Sequence, residues 1–140
     1  MTHNTKLLKK VAEIYHWLDL QINADTNLAG KCQMCGKCCD FERFDHRLFI
    51  TPPEIFYFNA NLSDQKPMTT SRCPYNIDTR CTAYQHRFAG CRIFCCKADA
   101  DFQSSLSEST LKKFKSLCTE FQIPYRYTDL PTALNNRADV

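Results

Sequence analysis

Glycine is scarce in this 140-residue chain, with three in all, at positions 30, 36 and 90. Valine occurs twice and tryptophan once. Leu, Ile, Val and Phe together make 31 of the 140 residues, just above the level at which chains stay disordered, so the aliphatic core is thin. No stretch approaches the ~18 consecutive apolar residues of a spanning helix, which excludes a helical membrane protein. Neither a glycine-rich phosphate loop nor a nucleophilic serine motif is present, so nucleotide-dependent chemistry and serine hydrolysis have no support. A net charge of +3 is too small to argue for nucleic acid. The opening Met1-Thr2-His3-Asn4-Thr5-Lys6 lacks the basic, apolar and small-residue segments of a secretory signal. Residues 1–140 therefore read as a single cytoplasmic domain.

Cysteine is what the chain has in excess, ten of 140 residues. In a cytoplasmic protein thiols stay reduced, so such a density points to metal or redox chemistry rather than to disulfides. Nine of the ten lie between Lys31 and Cys96, and that segment, residues 30–96, reads as a metal-binding core. On either side the pattern is helical. Leu7, Val11, Ile14, Leu18 and Ile22 fall on one face and predict a packing helix over residues 5–23, with Trp17 widening that face. Leu111, Phe114, Leu117, Cys118 and Phe121 predict a second over residues 106–122. Ser105-Leu106-Ser107-Glu108 reads as its capping box, Pro124 as its end, and Lys112, Lys113 and Lys115 as its solvated face. The tail from Pro131 to Val140 reads as loosely ordered.

Within the middle, Arg47-Leu48-Phe49-Ile50 predicts a short strand. Thr51-Pro52-Pro53-Glu54 predicts a capped helix start, with Glu54 as the reciprocal cap rather than a catalytic acid. Cys73 to Tyr84 reads as a hairpin or paired loops, with turn chemistry from Asn76 and Asp78. The expected fold is mainly α with small irregular or β-hairpin elements, a metal-stabilised cysteine-rich domain flanked by helices.

The strongest signal is Cys32-Gln33-Met34-Cys35-Gly36-Lys37-Cys38-Cys39, four thiols within eight residues. Two-residue gaps permit turns that redirect successive thiolates toward one centre, and Gly36 gives the backbone the freedom to make one. Cysteines at successive three-residue steps also match the first part of the ferredoxin run, which wraps a cubane cluster. Cys73, Cys81, Cys91 and Cys95 are the distant thiols that could complete such a site, Cys73-Pro74 supplying the cysteine–proline pair that ends the ferredoxin run. Cys95 ranks ahead of Cys96 because it stands four residues after Cys91, one helical turn on. Cys118, on an apolar stripe, reads as buried packing. The scattered His3, His16, His46 and His86 lack ligand spacing. Arg87 and Arg92 read either as charge balance for thiolates or as surface residues.

The ordered set Cys32-x-x-Cys35-x-x-Cys38-Cys39, Thr51-x-x-Glu54, Cys73-Pro74-Tyr75, Cys81-x-x-Tyr84 and Cys91-Arg92-Ile93-Phe94 resembles the YkgJ-type cysteine-cluster family, described as zinc- or iron-chelating. The likeness spans roughly residues 30 to 96. It departs from the family at Cys95-Cys96, where members often carry proline, and at Arg87-Phe88, where many carry Arg-Pro. The resemblance implies a metal site. Ten thiols exceed one zinc's needs, so an iron–sulfur cluster is favoured slightly over Zn2+. The rival readings are a zinc-stabilised protein-interaction module and an enzyme related to the flagellin lysine methylase, which carries a similar cluster. No nucleic-acid or membrane partner is expected, and no catalytic residue stands out.

Overall fold

The first apolar stripe folds as α1, His3–Ala24, with Leu7, Val11, Tyr15 and Leu18 buried and Ile14, Trp17 and Ile22 packed partly against the core. The computed structural model describes residues 3–24, 49–62, 66–68, 73–77, 80–81, 83–93, 99–126 and 128–135. After α1 come β1 (Phe49–Ile50), α2 (Pro52–Asn61), β2 (Asn76–Ile77) and β3 (Arg80–Cys81). A 3-10 turn (Tyr84–His86), α3 (Ala89–Ile93), α4 (Ala100–Glu120), β4 (Thr128–Asp129) and α5 (Leu130–Asn135) complete the order. The described residues are mainly helical, and none of these helices is long and apolar enough to cross a membrane.

Thr51 starts α2 as expected. Its backbone N–H and its hydroxyl both donate to Glu54 Oε2, at 3.0 and 2.9 Å, and Pro52 occupies the first helical position. The predicted hairpin is present as β2 and β3, paired antiparallel with Asn76 opposite Cys81 and Ile77 opposite Arg80. Asn76 thus belongs to the ladder rather than to the turn, and Asp78 lies outside the described residues. The predicted strand is seen at Phe49–Ile50, which pairs with Thr128–Asp129. Arg47 and Leu48 fall outside the described residues.

Four expectations about the C-terminal third are corrected. The helix begins at Ala100, not at residue 106, because Asp99 caps it by accepting from Phe102 N–H at 2.9 Å and nothing in residues 100–105 breaks a helix. Ser105 and Glu108 are interior, exposed positions of α4, so the second capping box does not exist. The helix ends at Glu120, ahead of Pro124. Phe121 N–H reaches Leu117 O, Gln122 N–H reaches Thr119 O and Ile123 N–H reaches Cys118 O, with Gln122 left-handed at φ 56°. This is a Schellman stop. The tail is not loose up to Asn135: Leu130, Ala133 and Leu134 are buried in α5. The Asn135 amide also clamps Met68, accepting from its N–H at 2.8 Å and donating to its carbonyl at 3.0 Å.

Two apolar clusters form the interior. One gathers Ile50, Ile55, Phe58, Met68, Tyr75, Phe88 and the α5 residues. The other joins α1 to α4 through Val11, Tyr15, Leu18, Phe114 and Leu117, and takes Ala89 and Ile93 from α3. Aromatic rings supply much of the first, which compensates for the shortage of aliphatics.

Candidate metal centre

Of the eight expected ligands, Cys32, Cys35, Cys38, Cys39 and Cys95 lie outside the described residues, as do Cys96 and His46. Cys81 is placed by its backbone in β3. Cys73 and Cys91 are described in full. Both are half-buried and both pack against the cluster built on Phe58.

Phe58 brings these two thiol-bearing segments together. Tyr75, two residues after Cys73, meets the Phe58 ring edge-on at 5.0 Å, and its hydroxyl accepts from Lys66 N–H at 2.9 Å. Phe88, three residues before Cys91, stacks on Phe58 at 4.5 Å. Two segments whose cysteines lie 18 apart in sequence are thereby seated, through Tyr75 and Phe88, on one side chain of α2. The short helix α3 sets the direction of Cys91. Ala89 and Ile93, one turn apart, share the face buried against α1 and α4, and Cys91, two positions from each, packs against the other cluster.

A polar network runs beside this seam. Glu54 is 3% exposed. Its Oε1 accepts from Ala89 N–H at 2.7 Å and from the Tyr15 hydroxyl at 3.3 Å, while Oε2 is held by Thr51. Burial pushes the Glu54 carboxyl above the usual carboxylate range, against the pull of the donors from Ala89, Thr51 and Tyr15. Burial, then the neighbouring Glu54 charge, holds the Tyr15 phenol well above its ordinary value, with Arg92 pulling the other way.

Arg92 is not a surface arginine, and among the described residues its bonds go to oxygen. Its guanidinium donates to Asp19 Oδ2 at 2.8 Å, to Arg87 O at 2.8 Å and to Gln85 O at 3.1 Å, and lies 4.2 Å from the centre of the Tyr15 ring. Its side chain is 6% exposed. Arg87 donates to the Cys91 carbonyl at 3.4 Å. His86 stands edge-on to Tyr57 at 6.1 Å, and its Nδ1 is buried with no hydrogen-bond partner among the described residues. Cys118 is buried on α4 as its stripe predicts, and burial raises its thiol.

Sequence reasoning missed the Glu54–Tyr15 and Arg92–Asp19 links, although Tyr15 continues the Leu7–Val11 spacing of four and so stood on the buried stripe. Among the described residues no three His, Cys, Asp or Glu side chains gather at one point. What the described residues provide is two thiols on segments that converge, a donor chemistry suited to soft metals. Compared with known proteins, the chain matches no family model, no curated protein and no solved structure.

Proposed function

We propose that this chain is a cytoplasmic metal-binding protein that holds an iron–sulfur cluster, in preference to Zn2+, through clustered cysteines. The observation that carries the reading is the run of four thiols from Cys32 to Cys39, a density with no use in a thin apolar core but suited to a metal that needs several thiolates. Support comes from Cys73 and Cys91, which come from distant parts of the chain and pack against the same apolar core around Phe58. In this reading Cys32, Cys35, Cys38 and Cys39 supply the first ligands, and Cys73, Cys81, Cys91 and Cys95 the rest. A bound cluster would supply one-electron chemistry, and a bound zinc would supply folding free energy alone.

The test is anaerobic purification followed by metal and sulfide analysis and a visible spectrum. Iron, acid-labile sulfide and visible charge-transfer absorption are expected. Stoichiometric zinc in a colourless protein turns the reading to a zinc-stabilised interaction module, because a filled d shell gives no such absorption. A reduced chain that takes up neither metal ends it.

A further inference from the structure

A five-residue helix is far too short to be stable on its own, so something outside α3 must hold the turn that carries Cys91. Two buried polar side chains do so, one at each end. At the start, Glu54 reaches across from α2 and accepts from Ala89 N–H at 2.7 Å, the shortest of its four hydrogen bonds. At the end, Arg92 is tied to Asp19 of α1 and to the carbonyls of Gln85 and Arg87, which lead into the helix. Tyr15 joins the two, giving its hydroxyl to Glu54 and its ring face to Arg92. Cys91 sits between these fixed points, two residues from Ala89 and next to Arg92.

Breaking a hydrogen bond in a buried setting leaves the other partner buried and unpaired, which costs more than the bond itself contributes. A capping box needs only Oε2 of Glu54, which Thr51 already uses. Oε1 is spent on another helix.

We infer that Glu54 and Arg92 form a buried latch that ties α3 to α1 and α2 and so presets the Cys91 thiol, with Glu54 a positioning residue for the metal site. The inference rests on the proposed metal reading for its last clause only, since the latch itself is built from protein groups alone.

The test has a metal-free arm and a metal arm, both on the full-length reduced chain. In the first, iodoacetamide modification of Cys91 and Cys118 is followed by peptide mass spectrometry in the wild type, Glu54→Gln and Asp19→Asn. Glutamine keeps the shape of Glu54 but presents an amide donor to one of its own donors. Asn at position 19, a side chain 42% exposed, weakens the far end of the latch without opening the core. Cys91 should react about tenfold faster in Glu54→Gln, the factor that 1.4 kcal/mol represents, and faster too in Asp19→Asn. Buried Cys118 on α4 should keep its rate and so reports global loosening. Equal acceleration at both thiols, or none at Cys91, overturns the latch.

In the second arm Co2+, a coloured probe of thiolate sites, is titrated into the same proteins and into Cys91→Ser with and without Glu54→Gln. Weaker binding in Glu54→Gln, and no further loss when it is added to Cys91→Ser, is expected. Equal Co2+ affinity in wild type and Glu54→Gln overturns the positioning role. Absence of Co2+ binding by the wild type overturns that role together with the metal reading, and the latch is then decided by the alkylation rates alone.

Discussion

Glu54 answers two demands at once, capping α2 with one oxygen and holding α3 with the other, and its burial gives it a signature in acid. A carboxyl raised in the fold binds its proton more tightly there than in the unfolded chain. Its contribution to stability is therefore fullest below the unfolded value of about 4.3 and declines as pH rises to the folded value. Glu54→Gln cannot ionise and should flatten that decline. Melting temperatures of the two proteins from about pH 4 to pH 8 check this, and parallel curves would contradict it. Among the thiols the contrast is between ligands and packing. If the proposed metal reading holds, serine at Cys32, Cys35, Cys38, Cys39, Cys73, Cys81 or Cys91 should lower bound metal, since each would remove a ligand. Alanine at Cys118 should keep full occupancy and cost about 1–3 kcal/mol, a packing loss. Metal content across the series, measured by elemental analysis, separates the two groups.

At the level of elements, legibility followed how local each cause was. The Thr51–Glu54 box and the α1 stripe rest on residues within a turn of one another, and both could be read from spacing. The same local rule misplaced the start of α4. A serine followed three residues later by glutamate also occurs on the exposed face of a helix, and only the run of helix-compatible residues back to Asp99 shows where the chain enters it. Asp99→Ala should cost about 1 kcal/mol by leaving the Phe102 N–H without its cap. The helix end was illegible for a different reason. A Schellman stop normally advertises itself with glycine, whereas here Gln122 takes the left-handed position. Gln122→Gly should raise stability by roughly 0.5–1 kcal/mol, the left-handed cost relieved less the entropy glycine adds to the unfolded chain. Urea denaturation with an unchanged slope would measure it. The α5 segment was hidden because its burial depends on partners 60 or more residues away, Ile50 across the sheet and Met68 through Asn135.

For the whole molecule, the question is what holds the middle of the chain to its ends. The described residues answer with contacts that need no metal: an α1–α4 core, an aromatic cluster on Phe58, and the buried polar links between α1, α2 and α3. A metal joining Cys73 and Cys91 would then bind segments that Phe58 already seats, so metal and aromatic core should act on the same contacts. Phe58→Ala removes the ring shared by Tyr75 and Phe88 and should cost about 3–5 kcal/mol of stability. Chelation should lower the melting temperature while retaining the helical circular dichroism of α1, α2 and α4, because those helices bury their stripes against one another. The two effects should couple. With the ring present, loss of metal leaves the Tyr75 and Phe88 segments seated on Phe58. With the ring gone, metal becomes their main tether, and the drop on chelation should be larger in Phe58→Ala than in the wild type. Paired melting curves, with and without chelator, read this directly. Equal drops in the two proteins would mean that metal and aromatic core stabilise the chain independently, and that Cys73 and Cys91 are not the point where they meet.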